Sequence, residues 1–379
     1  MRGHRWLRLI ELLLVVTSDL DTGKSGVCNA RTPTMRSVIA SSIVFVACTT
    51  SSTLPVTADP GEQTGDTGGG KADGTAAPTV PDVRCDGSPD AGPAGSFRHL
   101  ASKITAAVAD PRHRGFDLVA PASAATQSIE GWISYGPADK ALEDEDVDVF
   151  ACRESAWAKL GTARTDDEGH FALALADDAR LPIAMRDLFV SVVGDRTGVA
   201  FLAYVAPDDA QLIVSDIDGT LTSSEDAFFE TIALGVEPDA QPNAAAAYQA
   251  ATQRGYQLTY VTSRGGQYTT DTRQWLSDLG FPRGPVRLSP SFLTLPGGDT
   301  VEYKASTISA LGFSIAMGVG NRASDITAYT SSGVAPTSIM ISLPDYQSEV
   351  QPALDAGQAI GFTGYDQLRT SYIANLPVL

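Results

Sequence analysis

The spacing of apolar and polar residues divides this chain into regions of different period. Asp146-Val147-Asp148-Val149 alternates polar and apolar, as a strand with one buried face does. Phe171, Leu173 and Leu175 share one face of another strand, and Thr165-Asp166-Asp167-Glu168-Gly169 before it reads as a hairpin turn. Leu188 to Val193 and Val199 to Val205 supply two more strands. Short strands punctuated by turns predict a small β-sandwich over residues 127–206.

From Gln211 the rhythm becomes strand, helix, strand. Leu212 to Ser215 is a short apolar strand, and Ala244 to Arg254 an Ala-rich helix ending at Gly255, a natural residue just past a helix end. Leu258 to Val261, Phe313 to Val319 and Ser338 to Ser342 read as strands, and Thr272 to Leu279 and Tyr303 to Leu311 as helices. This alternation predicts an α/β domain over 207–379, a Rossmann-like parallel sheet with helices on both faces. In such sheets ligands sit at the carboxyl ends of the strands.

The N-terminal part has neither pattern. Met35-Arg36-Ser37, an apolar run from Val38 to Ala47 and then Cys48 have the layout of a bacterial lipoprotein signal. Residues 1–48 are therefore expected to be a leader, with Phe45-Val46-Ala47-Cys48 as lipobox; a plain signal peptide is the alternative. The mature protein would be exported to the cell envelope and meet the membrane surface through a lipid on Cys48. Residues 49–96, rich in Thr, Ser, Gly, Pro and Asp around Gly68-Gly69-Gly70, read as a disordered linker. Residues 97–126 read as a helix and connector, with Phe97, Leu100, Ile104 and Val108 on one docking face. Outside the leader, Cys85 and Cys152 remain, and both a disulfide and two separate thiols stay open.

Charge narrows the partners. The 379 residues carry a formal net charge of −18, which argues against nucleic acid, whose phosphates need clustered Lys and Arg. Long-range steering of an anionic substrate is excluded too, so any phosphate must be held by local cations, main-chain N–H groups and a bound metal. The run Glu143-Asp144-Glu145-Asp146 suits a solvated turn better than a calcium site.

The candidate chemistry starts at Ser215-Asp216-Ile217-Asp218-Gly219-Thr220-Leu221-Thr222, directly after a strand. Two carboxylates one residue apart repel unless a divalent cation lies between them. Asp216 is placed to attack phosphorus and form an aspartyl-phosphate; Asp218, beside negative charge, would protonate the leaving alkoxide and then activate water. Thr220 and Thr262 offer hydroxyls to phosphoryl oxygens, and Lys304 would neutralise Asp216 and the transferring group. Asn321 and Asp325, in Gly320-Asn321-Arg322-Ala323-Ser324-Asp325, are spaced to meet the same metal as Asp216 and Asp218. Phosphoryl transfer asks for positioning and charge neutralisation, which this ordered set would supply with Mg²⁺.

The order Asp-x-Asp, Thr, Lys, Asn/Asp at successive strand ends resembles the haloacid-dehalogenase-like superfamily. The finer resemblance, over about residues 208–376, is to the lipin (Lipin/Ned/Smp) catalytic domain. It rests on Asp216-Ile217-Asp218-Gly219-Thr220, on Gly320 to Tyr329, and on Phe281-Pro282-Arg283-Gly284-Pro285 with Leu288-Ser289-Pro290. It implies a Mg²⁺-dependent phosphatidate phosphatase, and lipins also place an immunoglobulin-like sandwich with their catalytic domain. The sandwich here has a transthyretin-like or immunoglobulin-like look. Two features depart from lipins. There is no long basic tract, and Tyr260-Val261-Thr262-Ser263-Arg264 is closer to the related domain of phosphatidylinositol-transfer proteins, which lacks the full catalytic motif and binds lipid.

The short stretch from Ser223 to Asn243 leaves no room for a cap domain, and one helix and a loop fill the gap from Thr262 to Lys304. A capless, open site suits a lipid headgroup or a macromolecular end. Arg322, more than Arg264, Arg283 or Arg287, is expected to add positive charge there. The leading expectation is hydrolysis of phosphatidate or a similar lipid phosphomonoester. The alternatives are a capless phosphatase of soluble or macromolecular phosphomonoesters and a non-catalytic lipid-binding module.

Overall fold

The computed structural model describes residues 80–223, 238–290 and 298–379. The leader with Cys48, the linker as far as 79 and most of the stretch from Ser223 to Asn243 lie outside the described residues. The sandwich contains β1 (Asp82–Val83), β2 (Arg114–Phe116), β3 (Leu118–Pro121), β4 (Thr126–Trp132), β5 (Ser134–Tyr135), β6 (Lys140–Ala141), β7 (Asp146–Arg153), β8 (Ala156–Arg164), β9 (His170–Ala176), β10 (Ala184–Val192) and β11 (Gly198–Ala206). One sheet runs β3-β11-β10-β7-β8 with β1 beside β10; a second runs β2-β4-β9; β5 and β6 pair with each other. Between the two larger sheets, Ile129, Phe171 and Leu175 share one core with Val149, Leu188 and Val190.

Several sequence expectations change here. Thr165 to Gly169 does not close a hairpin within one sheet. β8 pairs with β7 and β9 with β4, so this turn carries the chain from one sheet to the other. The hairpin lies between β7 and β8 at Glu154-Ser155, both at positive φ (50° and 66°). Neither residue is Gly or Asn, so the turn carried no signal. Residues 80–96 are not all linker: β1 pairs with β10, Cys85 forms a disulfide with Cys152, and the Cys85 N–H donates to Asp187. Residues 97–126 are more than a connector, since β2 and β3 each belong to a sheet.

The predicted docking helix is α1 (Leu100–Val108), but its apolar face is not docked. Leu100, Ile104 and Val108 are 73%, 56% and 80% exposed, while Phe97, ahead of the helix, packs against the sandwich core. The helix is held instead at its start, where the Glu145 carboxylate accepts from the N–H groups of Arg98 and His99, both at 2.9 Å. Asp144 pairs with His99 and Arg98. Glu143 and Asp144 form the expected exposed turn, while Glu145 beside them is buried and holds the backbone that leads into the helix.

The α/β half contains β12 (Gln211–Ser215), α2 (Ala244–Thr252), β13 (Gln257–Gly265), α3 (Thr269–Asp278), β14 (Val286–Ser289), α4 (Gly298–Ser309), β15 (Ser314–Gly320), α5 (Ala323–Ser331), β16 (Ile339–Ser342), α6 (Gln347–Asp355) and β17 (Ile360–Phe362). Its six strands run parallel in the order β14-β13-β12-β15-β16-β17. The central strand β12 is apolar because both its faces are covered. Ile213 packs with α2 and α3 residues on one side, and Leu212 and Val214 with α4, α5 and α6 residues on the other. The gap before Lys304 holds β14 as well as a helix, against expectation.

The sandwich and the sheet form one compact unit. Asp117, wholly buried after β2, is the centre of their junction. It accepts from the Leu202 N–H of β11 at 2.8 Å, from Arg273 of α3 at 2.8 Å and from the Val286 N–H of β14 at 2.7 Å. The Arg287 guanidinium donates to the Asp117 carbonyl, and Arg283 bridges Asp82 and Asp187. Arg283 and Arg287 therefore fasten the sandwich to the sheet and supply no charge to the candidate site.

His113, buried in the sandwich with Nε2 2.8 Å from the Thr197 hydroxyl, makes stability pH-dependent. Burial pushes its imidazolium down to about 4 from an ordinary 6.5, with Asp195 opposing. The unfolded chain therefore binds more protons between those values, and the fold loses stability as pH falls through that window. Comparing urea midpoints at pH 7.5 and 4.5, His113→Gln should lose less on acidification than the wild type, by roughly 2–3 kcal/mol. An equal loss in both would remove His113 as the cause.

Candidate active site

The carboxyl ends of β12, β13 and β15 and one turn of α4 bring the candidate residues together. β12 delivers Asp216, whose N–H donates to the Val319 carbonyl at 2.9 Å, locking the loop to β15. Gly219, at φ +69°, makes the turn that follows, and its N–H donates to the Thr222 hydroxyl at 2.8 Å. That turn puts the Thr220 hydroxyl 3.2 Å from Asp216 Oδ2 and 3.2 Å from Asn321 Oδ1. Tyr365 donates to the Thr220 carbonyl, and Tyr248 reaches the Asp216 carbonyl through Ser215. Tyr329 donates to the carbonyls of Val214 and Val319. Three buried tyrosines thus brace the backbone under the site, none of which was legible as a support from sequence.

Lys304 Nζ lies 2.7 Å from Asp216 Oδ1 and 2.7 Å from Asp325 Oδ1, with all three residues buried. Asp325 Oδ2 accepts from the N–H groups of Asn321 and Arg322 at 3.0 Å each, capping α5. Gly320 is required for this: a Cβ there would stand 2.5 Å from the Asp325 side chain. Burial, then the charges of Asp325 and Asp218, push the Asp216 carboxyl up to about 7 against the pull of Lys304. Burial opposes the Lys304 ammonium, but its two carboxylates raise it above its ordinary range. The site therefore holds two buried carboxylates on one ammonium and has room in its charge balance for a further cation.

Asp218 and Thr262 form a second cluster. The Thr262 hydroxyl donates to Asp218 Oδ2 at 3.1 Å, and Arg264 grips the same carboxylate, with Nη2 2.7 Å from Oδ1. Arg264 is itself fixed by a bond to the Thr272 hydroxyl at 3.1 Å and by the nearby Trp275 ring. Sequence reasoning set Asp218 beside negative charge and ranked Arg264 behind Arg322 as a source of positive charge; the structure buries Arg264 and makes it the partner of Asp218. Only its position two residues past the strand-end Thr262 hinted at this. Arg322, the expected cation, instead pairs with Glu349 and stacks 3.9 Å over the Tyr346 ring.

The donor types suit a hard divalent cation: Asp216, Asp218 and Asp325 carboxylates and the Asn321 amide oxygen. They do not converge as they stand. Among the described residues no three acidic or metal-binding side chains close on one point, because Arg264 holds Asp218 and Lys304 bridges the other two. Asn321 Nδ2 is buried with no hydrogen-bond partner, a donor that an anionic oxygen would satisfy.

Comparison with known proteins fits both halves. Residues 213–342 match the family model described as PITM 1-3, LNS2 domain, and residues 111–205 match the one described as PITM 1-3, beta-sandwich domain. Protein retinal degeneration B of Drosophila melanogaster is 28% identical over 233 residues, 60% of this chain and 18% of that one. Membrane-associated phosphatidylinositol transfer protein 3 of Mus musculus is 26% identical over 246 residues, 63% of this chain and 24% of that one. The chain thus spans less than a quarter of the length of these relatives. Among solved structures, the Class C acid phosphatase from Bacillus anthracis aligns with 44% of this chain and 73% of its own, at 16% identity and a TM-score of 0.28. The α/β half is accordingly similar to the LNS2 domain, and the region before it to the beta-sandwich domain, of PITM 1-3.

Proposed function

We propose that the α/β half hydrolyses a phosphomonoester through an aspartyl-phosphate on Asp216, with phosphatidate or a similar membrane lipid as substrate. The observation that carries this reading is Lys304 bridging Asp216 and Asp325 at the carboxyl edge of the sheet, with Thr220 on the other Asp216 oxygen. Asp216 Oδ2, the oxygen away from Lys304, attacks phosphorus. Lys304 offsets the charge gathering on the phosphoryl oxygens. Thr220, Thr262 and the Asn321 Nδ2 group offer donors to those oxygens. Asp218 gives a proton to the departing alkoxide and takes one from the incoming water, which requires Arg264 to release it. Asp216, Asp218, Asn321 and Asp325 would hold Mg²⁺, which when bound neutralises negative charge shared by the carboxylates and the phosphoryl group. The N-terminal Cys48, as a lipid-anchored residue, would keep the domain at the membrane.

A second reading has one specific observation in its favour. The fork of Arg264 on Asp218 withholds that carboxylate from proton transfer, which supports a domain that binds a lipid without turning it over, and the name of the Mus musculus relative refers to phosphatidylinositol transfer. Phosphate release from phosphatidate vesicles and from a soluble aryl phosphate, each with Mg²⁺ or excess chelator, separates the readings. Release from vesicles should fall at least ~10²-fold when Mg²⁺ is chelated. Vesicle binding without release from either substrate would sink the enzymatic reading and leave the second. Release from the aryl phosphate alone would move the substrate to a soluble ester.

A further inference from the structure

The strand that carries Thr262 is irregular where it ends. Between β13 and β14, Thr262 pairs with Leu288 and Gly265 with Ser289, so Ser263 and Arg264 bulge out between two consecutive partners. A bulge of this kind re-aims the side chain it carries. Here it turns Arg264 onto Asp218, with the Arg264 N–H donating to the Thr262 hydroxyl at 3.2 Å.

That aim leaves Asp218 fully engaged. Its Oδ1 accepts from Arg264 Nε at 3.0 Å and Nη2 at 2.7 Å, and its Oδ2 from Arg264 Nε at 3.0 Å and the Thr262 hydroxyl at 3.1 Å. A carboxylate has about four acceptor positions, so none stays open for the oxygen of a departing alcohol.

The far end of the bulge is held from the sandwich. A Cβ at Gly266, two residues past Arg264, would stand 3.3 Å from Arg114 Cδ and 3.1 Å from the Ser289 carbonyl oxygen, so the glycine lets the loop lie tight between β2 and β14. Arg114 has little freedom to yield. Its side chain is 2% exposed, pairs with Asp139 and lies 4.2 Å over the Trp132 ring. Asp139 is fixed in turn, accepting from the Ser134 hydroxyl at 3.1 Å. Arg114 Nε and Nη1 are buried with no hydrogen-bond partner among the described residues, a cost that an apolar filler of the same volume would not carry.

We propose that Arg114 is a positioning residue for Arg264: pressed against Gly266, it fixes the bulge, and the sandwich thereby keeps Asp218 engaged until the bulge shifts. For its effect on turnover the inference rests on the phosphatase reading above, and it adds a brake supplied by the other half of the chain. As the phosphorus–oxygen bond of the ester breaks, its electron pair goes to the alkoxide, which takes the proton of Asp218 and leaves as an alcohol. A bulge free to carry Arg264 away opens that path. A leaving group that departs as a stable phenolate needs no such proton.

Arg114→Ala and Gly266→Ala disturb the contact from its two sides, the second without altering the sandwich. Both are measured in the full chain with Mg²⁺. Phenylglyoxal modification of arginines, read by peptide mass, should label Arg264 about 5-fold faster in either variant, relative to the exposed Arg369 of the same chain. The ratio of kcat for propyl phosphate to kcat for dinitrophenyl phosphate should rise about 10-fold or more, with both KM values within about 2-fold of the wild type. In an Arg264→Met background neither variant should move that ratio, whereas a general loosening of the fold would move it there as well. Arg264 labelling equal to the wild type in both variants, a ratio unmoved or lowered in both, or a change that persists without Arg264 would overturn the proposal. Faster labelling with release from neither ester would leave the positioning of Arg264 standing and sink the phosphatase reading.

Discussion

Asp216→Asn should abolish phosphate release, by at least ~10³-fold, and leave the fold nearly untouched. The amide keeps the shape of the carboxyl: its oxygen can face Lys304 and its NH2 the Thr220 hydroxyl, which accepts there and donates to Asn321 Oδ1, so the loop from Ser215 to Thr222 has no reason to move. Burial already works against the Asp216 charge, and Lys304 keeps Asp325 as its partner. Its thermal midpoint should therefore stay within about 3 °C of the wild type. What the amide lacks is a nucleophilic oxygen able to form the phosphoryl bond. The measurement is steady-state phosphate release beside a thermal melt of the same preparation. Release near the wild-type rate would refute the nucleophile assignment, whatever the melt shows.

Lys304→Met should act in the opposite proportion, as a loss of stability first. It removes the one ammonium that two buried carboxylates share, and the Met side chain fills most of the volume without satisfying either oxygen. Breaking a buried ion group in this way costs about 3–5 kcal/mol. The sign of the pH dependence follows from which state holds the proton. With Lys304 gone, Asp216 and Asp325 face each other and one of them takes up a proton in the folded state, so that its folded carboxyl lies above its unfolded value. Such a group stabilises the fold below its unfolded value and loses that contribution as pH rises through its folded one. The deficit relative to the wild type should thus be largest near pH 8 and shrink towards pH 5. Thermal or urea unfolding at both pH values checks it; a deficit that is absent, or that grows on acidification, would show that Lys304 does not carry this balance.

The sequence was most readable where chemistry and local pattern coincide. The strands before Asp216 and Asn321 are apolar runs closed by polar turns, and both their position and their direction in the sheet follow from that alternation. Lys304 was legible as a member of an ordered set, although nothing local says that it bridges two aspartates. Arg264 was misread because its role depends on Asp218, which is distant in sequence and brought near only when β12 and β13 pair. β14 and β17 were missed because each is short and follows a turn, and a few residues such as Val286-Arg287-Leu288-Ser289 do not establish a period. The exposed face of α1 was misread for a related reason: periodicity shows that a helix has an apolar side, not that the fold turns that side inward. The Glu154-Ser155 turn shows the same limit, since positive φ there is imposed by the pairing of β7 with β8 and not by residue type.

The Asp117 junction bears on how this protein can be divided, by an experimenter or by evolution. A cut in the short Pro207-Asp208-Asp209 connection looks harmless on the printed sequence, because it falls between two regions of different pattern. It would nevertheless leave Arg273 and the Val286 N–H without their shared acceptor and strip the cover from the β13–β14 edge. The sandwich is therefore less a neighbour of the α/β half than a missing side of it, and the smallest heritable cassette should comprise both.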